Sequence, residues 1–486
     1  MVDTVPKTHA RPGLMLALLA FAQFVVAADY NVVYVALPDI GEALGFGPQS
    51  LQWVVSAYAV AFGGLLLFGG RLVDRIGGRR IFVIGAVVFG LACLAGGLAE
   101  NPGMLIAARG VQGLGAALLS PATLMLVSTR FEEGARRNRA MAVWGAAGSG
   151  GLAAGALLGG VLTNAWGWEW VLFVLVPMAL LAAVLAPSIL PADERSSSDA
   201  SFDVPGAVLA TVGSSLLVLG LVSGPEAGWG SLRGLGSIVA GLVLLAVFAV
   251  VETKTRVPLA PMGLFRNRSL VTAILIILVF QSALAGSYYL FTTYMQNVLG
   301  YTALEAGLAF LPLTIISMFA SLQLTGILLT KWGPRATLFL GMVVNGVGML
   351  LLALSMTTNA SFWQLLGGLA VWGIGGGITF PAMFVCAASG VAPSEAGIAS
   401  ALANASQQIG GAAGLAVLVA IAHSGLDLSV DAEPALTAVN DGLRTATWVG
   451  GVAAIVGGLL AFTLRKPGAP APAPAADTGD EIATSH

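Results

Sequence analysis

Apolar runs of about twenty residues recur from one end of this chain to the other, separated by short polar loops. Each run is long enough to cross the hydrocarbon core of a bilayer as a helix. Within that core only helices and closed barrels satisfy their own backbone groups. The pattern predicts an all-α membrane protein with fourteen transmembrane helices, at 14–38, 51–70, 81–99, 104–128, 140–163, 169–190, 205–223, 234–251, 269–298, 304–329, 336–355, 361–388, 399–422 and 445–464. The first run is not followed by an A-x-A cleavage pattern, so it reads as a retained helix rather than a signal peptide.

Composition sharpens this reading. Of the 486 residues, 57% are hydrophobic and only 9% are charged, where soluble domains carry about 25%. Such a chain cannot coat itself with a hydrated surface, and its expected surroundings are a lipid bilayer. The net charge of −2 gives no reason to expect nucleic acid as a partner. Cys93 and Cys386 both lie in apolar runs, which implies no disulfide framework. The 64 glycines suit helices that pack closely through small residues. An even number of crossings puts both ends on one side, and alternate assignment of loops places nineteen of the 22 Lys and Arg there. Arg233 and Arg444 fall on the other side and Arg109 within the membrane. That skew predicts cytoplasmic N- and C-termini. The preference for Arg over Lys, with abundant Ala, Gly and Val, fits a GC-rich bacterial genome and so a bacterial inner membrane.

Two inner loops divide the chain. The expected organisation is a cytoplasmic N-terminus (1–13), a six-helix bundle (14–190) and a Ser-rich linker (191–203). Two inserted helices without buried charge (204–251), a second linker (252–268), a second six-helix bundle (269–464) and a Pro- and Ala-rich disordered tail (465–486) follow. The bundles repeat one another. Gly70-Arg71-Leu72-Val73-Asp74-Arg75-Ile76-Gly77-Gly78-Arg79 returns 256 residues later as Gly326-Ile327-Leu328-Leu329-Thr330-Lys331-Trp332-Gly333-Pro334-Arg335. Gly113-Leu114-Gly115-Ala116-Ala117 with Pro121-Ala122 returns 260 residues later as Gly373-Ile374-Gly375-Gly376-Gly377 with Pro381-Ala382. Two nearly equal offsets point to a duplicated six-helix unit, an arrangement that commonly rocks about a midplane site to give alternating access.

Charges buried in the spans are few enough to single out. Asp29 stands nine residues before Pro38 in the outward-running first span, and Arg109 seven after Pro102 in the inward-running fourth. At ~1.5 Å per residue both sit ~10–13 Å from their helix ends, and they can pair if the two helices are neighbours. Arg keeps its proton in a protein, and a charge at bilayer depth costs at least ~2.5–3.5 kcal/mol. The pair is either a static ion pair locking two helices or a proton site, since an acid takes up a proton more readily once its cation withdraws. Gln112, one turn from Arg109, is a hydrogen-bonding neighbour.

The Arg71–Arg80 loop serves in part as positive-inside anchoring. Asp74, in a glycine-bounded turn, is also expected to pair with an Arg or to meet the N-terminus of a facing helix. In that gating role it is grouped with Arg71, Arg75, Gly77, Arg79 and the repeated Lys331 and Arg335. Gly151, Gly155, Gly159 and Gly160 predict a close-packed fifth helix. Gln281, Leu284, Tyr288, Phe291 and Met295 share a face of the ninth by helical spacing. Such a stripe serves either packing or a cavity. The cavity reading takes in Tyr34, Trp53, Tyr58, Gln281, Tyr288, Phe291, Asn404 and Gln408. No phosphate-binding loop, no metal-suited His/Cys cluster and no G-x-S-x-G elbow occurs in the chain. An enzyme is therefore not expected, nor is a metal or an organic cofactor.

These motifs together resemble the major facilitator superfamily, in particular its fourteen-helix drug:proton antiporter branch. Gly70–Arg80 is similar to its signature between helices two and three, and Arg109-x-x-Gln112-Gly113-x-Gly115 to the helix-four signature assigned to proton coupling. Gly151–Gly160 is similar to its helix-five antiporter signature. Asp29 with Val35-Ala36-Leu37-Pro38, Gln52-Trp53-Val54-Val55-x-x-Tyr58, Gln296–Tyr301 and Ala306-Gly307-Leu308 are similar to branch motifs in helices one, two and nine onward. The chain departs from that pattern in having Ala156 where a Pro is usual, Asn31 and Tyr34 after the helix-one acid, Gln407 for Arg, and Glu169 between Trp168 and Trp170. The resemblance implies a monomeric exporter of small lipophilic drugs, dyes or antibiotics, driven by the proton gradient without a cofactor. With one deep acid, neutral or monocationic substrates are expected. A proton-coupled importer of a small nutrient with the same fold is the nearest rival, and a membrane receptor or enzyme a more distant one.

Overall fold

The computed structural model of the protein describes residues 12–46, 51, 53–193, 203–255, 262–392, 395–424 and 436–464. Gln52, parts of both expected linkers (194–202 and 256–261) and the tail lie outside the described residues. No strand occurs among the described residues. The main helices are α1 (Pro12–Leu44), α2 (Trp53–Ile76), α3 (Gly78–Gly97), α4 (Pro102–Arg130), α5 (Ala135–Trp166), α6 (Leu175–Ile189) and α7 (Val204–Ala227). They continue as α8 (Ser237–Glu252), α9 (Arg268–Thr293), α10 (Leu311–Ala320), α11 (Gly326–Ser355), α12 (Phe362–Ala387), α13 (Ala396–His423) and α14 (Leu436–Gly458).

Twelve helical stretches among the described residues are long and apolar enough to cross a membrane. One of them, Glu305–Ser355, has 51 residues and at ~1.5 Å per residue would far exceed a bilayer's thickness if straight. It is broken at Gly333, whose φ of +75° and ψ of 171° leave the helical region, a conformation glycine adopts without steric cost. Within α7 the apolar stretch is shorter, Pro205–Leu221. Helix starts follow local chemistry. The Asn101 side chain accepts from Met104 N ahead of Pro102, Asp203 does so from Gly206 N, and Asn267 from Ser269 N and Leu270 N, the usual means of satisfying the first free N–H groups.

Packing follows the duplicated sequence. In the first half α1 packs on α4, α5 and α6, while α4 also packs on α2 and α3, and α3 on α6. In the second half α9 packs on α12, α13 and α14, while α12 also packs on α10 and α11, and α11 on α14. Each contact in one list has its counterpart in the other. Glycines set the spacing: a Cβ on Gly151, Gly155 or Gly159 of α5 would overlap the carbonyl oxygens of Phe24, Ala28 or Val32 in α1. One on Gly410 or Gly414 of α13 would overlap those of Leu278 or Ser282 in α9. The halves meet where α2 and α4 pack on α13 and where α5 packs on α10 and α12. α7 lies against both α2 and α13, and Ser214 Oγ donates to the Gly64 carbonyl at 2.9 Å. α8 packs chiefly on α7 and ends in Glu252, a buried acid at the edge of a pair of helices expected to hold none.

Candidate functional site

Asp29 and Arg109 face one another where α1 meets α4, and both are shielded from solvent, at 0% and 2% exposure. Arg109 Nη1 donates to Asp29 Oδ1 at 2.9 Å and to Oδ2 at 3.1 Å. The same nitrogen donates to Gln112 Oε1 at 2.6 Å, and Gln112 Nε2 returns a bond to Asp29 Oδ1 at 2.7 Å. Arg109 Nε donates to the Val54 carbonyl of α2 at 3.0 Å, and the guanidinium carbon lies 4.5 Å from the centroid of the Tyr58 ring. Gln112 Nε2 also reaches Cys93 Sγ of α3 at 3.0 Å. One charge pair therefore ties four helices together. Removing two charges from water is costly, and such a pair persists only where further hydrogen bonds satisfy its remaining atoms; here a carbonyl, a carboxamide and an aromatic face supply them.

A second cluster closes the seam where α2 ends and α13 begins. Asp74 Oδ1 accepts from Gly397 N at 2.6 Å, and Oδ2 from Ile398 N at 2.9 Å. Free N–H groups and the positive end of the helix dipole make this first turn of α13 a natural place for a carboxylate. The approach is close enough that a Cβ on Gly70 would overlap Ala401 Cβ. Further along the seam Ser120 Oγ donates to Asn404 Oδ1 at 2.9 Å. On the other side of the contact between halves, Trp144 of α5 lies edge-on to Phe384 at 5.0 Å and stacked with Phe380 at 6.2 Å. Ser321 Oγ of the π-turn after α10 donates to the Ala142 carbonyl at 2.8 Å. Next to the start of α13 a cavity of about 330 Å³ is lined by Ser128, Glu132, Glu133, Arg137 and Ala396, among others.

The remaining expected site residues fall into several groups. Gly77 has a φ of +109°, and the turn it makes is held by Asp193, whose carboxylate accepts from Arg79 N at 2.9 Å and Arg80 N at 3.0 Å. Arg79 Nη1 donates to the Leu190 carbonyl at 3.3 Å. Arg71 is half-buried and Arg75 exposed. Lys331 is exposed and Arg335 lies over the Phe462 ring at 4.9 Å; no acid stands to them as Asp74 does to α13 among the described residues. Gly160 is half-buried, one position off the face formed by Gly151, Gly155 and Gly159. Trp53 sits beneath the Arg233 guanidinium at 5.9 Å. Tyr34 is exposed beside Tyr30. Tyr288 and Phe291 pack on Phe310 at 4.8 and 4.9 Å, within an aromatic cluster that includes Trp372. Gln281 is half-buried with its Oε1 unpartnered, and Gln408 lies opposite Gly63 of α2. No group of metal-ligating side chains occurs among the described residues.

Sequence reasoning missed Cys93, Asp193, the Val54 carbonyl and the Trp144–Phe380–Phe384 cluster. Only Asp193, an acid at the foot of a helix, carried a signal that could have been used.

Residues 19–415 match the Major Facilitator Superfamily. The chain belongs to the major facilitator superfamily. Among curated proteins, this superfamily member is 40% identical over 412 residues to a cephamycin export protein of Amycolatopsis lactamdurans, covering 84% of this chain and 85% of that one. It is 40% identical over 406 residues to a puromycin resistance protein of Streptomyces alboniger, covering 83% and 80%. With a lincomycin resistance protein of Streptomyces lincolnensis it shares 34% over 429 residues, covering 87% and 86%. Among solved structures, the human organic anion transporter MFSD10 matches with a TM-score of 0.67 at 13% identity, over 93% of this chain and 99% of that one. That likeness concerns the fold. The superfamily is one of transporters, and the chain is a multi-pass membrane member of it.

Proposed function

We propose that the protein is a proton-coupled exporter of small lipophilic compounds, antibiotics among them, working by alternating access in a bacterial cell membrane. The observation that carries this reading is the buried Asp29–Arg109–Gln112 network. The printed roles of the relatives, export of cephamycin and resistance to puromycin and lincomycin, support the direction and the substrate class. In the proposed topology the chain crosses the bilayer fourteen times with both ends cytoplasmic. Bundles 14–190 and 269–464 flank α7 and α8, as the duplicated packing and the break at Gly333 favour.

Coupling then works through the network. While Arg109 stays on Asp29 the carboxylate has its counter-charge. Relative movement of α1 and α4 leaves the acid without it, and a proton is the partner available to neutralise it. Gln112 touches both residues and so holds the ionised pair in register. Asp74 on the first turn of α13 keeps the cytoplasmic end closed in the conformation described, and the glycine face of α5 on α1 is the surface that must slide. Tyr34, Trp53, Tyr58, Gln281, Tyr288, Phe291, Asn404 and Gln408 are assigned to the cavity or its walls, with neutral or monocationic ligands as the occupants.

The test is efflux of a lipophilic dye from cells expressing the chain, with and without an imposed proton gradient, beside Asp29→Asn. Efflux that follows the gradient and drops at least tenfold in the variant is expected. Uptake driven by the gradient would support the importer instead, and efflux indifferent to both gradient and substitution would remove the coupling mechanism.

A further inference from the structure

Gln23 of α1 and Gln281 of α9 are 258 residues apart, between the 256 and 260 of the two duplicated motifs. The structure gives them the same setting. A Cβ on Gly148 of α5 would lie 3.2 Å from Gln23 Nε2, and one on Gly411 of α13 would lie 3.9 Å from Gln281 Cγ. Gly148 and Gly411 are 263 residues apart, as are Gly151 and Gly414, which press on the carbonyls of Phe24 and Ser282. Each glutamine therefore lies across a glycine of the facing helix at corresponding places in the two halves.

They share a second property. The Oε1 atom of each is buried and has no hydrogen-bond partner among the described residues. A buried carboxamide oxygen left without a donor is destabilising, and finding the same deficit at both repeat-related positions argues against an accident of packing. Gln23 also faces the contact between halves, since the Gly148 position that it covers lies 3.6 Å from Phe380 Cε1 of α12. Phe380 in turn stacks with Trp144. An aromatic wall, which itself carries the buried and unpartnered Nε1 of Trp144, thus adjoins an unpartnered acceptor.

We propose that Gln23 and Gln281 are a pair of substrate-recognising carboxamides, one from each half, which accept hydrogen bonds from N–H or O–H donors on a lipophilic ligand. This rests on the export reading and deepens it. The pair selects among lipophilic compounds by their donors, while the half-buried Phe380 ring takes their apolar faces. A site built to hydrogen-bond a donor discriminates against analogues that lack it.

The test uses two monocationic probes: ethidium, whose aromatic amines are donors, and tetraphenylphosphonium, which has none. Their dissociation constants are measured on the purified full chain in lipid nanodiscs, for the wild type, Gln23→Leu, Gln281→Leu and the double variant. Each single change is expected to weaken ethidium about fivefold to tenfold and the double change further, with tetraphenylphosphonium altered less than twofold. Gln23→Glu and Gln281→Glu, which keep an acceptor and nearly the same shape, are expected to retain ethidium binding. Equal losses for both probes, no loss for either, or a loss confined to one glutamine overturns the pair and leaves the export reading standing. Failure of the wild type to bind either cation overturns the pair, while the export reading, which also admits neutral compounds, stands or falls on the efflux assay.

Discussion

At offsets of 256 to 260 residues, Ser287, Met349, Leu369 and Trp372 of the second half answer to Asp29, Cys93, Arg109 and Gln112 of the first. The four form a cluster of their own: Ser287 Oγ donates weakly to Met349 Sδ at 3.8 Å, and Trp372 meets Tyr288 edge-on at 5.4 Å. Met349, Leu369 and Trp372 are buried in a common apolar core. The frame around the two clusters is shared, since Gly115 of α4 presses on the backbone of Phe89 and Gly375 of α12 on that of Asn345. One frame thus accommodates either a charged network or an apolar plug. A buried ion pair is weak evidence for stability in any case, and here the molecule contains its own apolar alternative. Stability alone therefore gives no reason for the charge in the first half, which is what the proposed coupling role would require.

The widest separation between the halves is expected from Asp29→Ser, which gives the first half the second half's residue and strands Arg109. Breaking one member of a buried pair costs about 3–5 kcal/mol, which would show as a large fall in the unfolding temperature in detergent. Adding Arg109→Leu should return most of that stability while gradient-driven dye efflux remains at the level of cells without the protein. A double variant that still couples efflux to the gradient would break the comparison.

Overpacking should show the opposite, an equal response. Gly155→Leu in α5 and Gly414→Leu in α13 both drive a side chain into a facing carbonyl. Each is expected to lose about 1–3 kcal/mol, with unfolding midpoints of the two variants close to one another. If one half tolerates the change, the frames are less alike than their packing suggests.

The turn that holds Asp74 and its repeat give a smaller contrast. Asp74 bonds the start of α13, whereas among the described residues its counterpart Thr330 bonds within its own helix, to the Gly326 carbonyl at 2.7 Å. Asp74→Asn should weaken two charge-assisted bonds, by about 1–2 kcal/mol in all. Ala399 also lines the cavity beside the start of α13, and thiol labelling of an Ala399→Cys reporter there should then rise several-fold. Thr330→Val should leave labelling unchanged. Smallest of all, Cys93→Ala removes one weak acceptor from Gln112 and should lower efflux less than twofold, because Asp29 still holds the carboxamide.

How much of this was legible in the sequence depended on which kind of atom carried the contact. Asp29 and Arg109 stood out because charge inside an apolar run is costly, and Gln112 because it is one helical turn from the Arg. The glycine repeats announced the close contacts of α5, since a missing side chain is visible in a sequence. That Asp74 meets a helix N-terminus was one of the two expectations, but which helix was not visible, because the partner is the backbone of Gly397 and Ile398, more than 300 residues away. Asp193 caps α3, yet its Ser-rich neighbours give it the pattern of a linker residue. Gln23 is not legible, because a glutamine in an apolar run has no spacing to mark it. Only the two unpartnered oxygens, seen together, do so.

The halves meet along two seams, α2 with α13 and α5 with α10, and α7 lies against only the first of them. Among the described residues no helix from outside the repeats packs on α5 or α10, and Ile315 and Phe319 of α10 are exposed at 57% and 62%. To a molecule dissolved among the acyl chains, the two flanks of the protein are therefore not equivalent. One is boarded over by an extra pair of helices, and the other is left bare to the lipid.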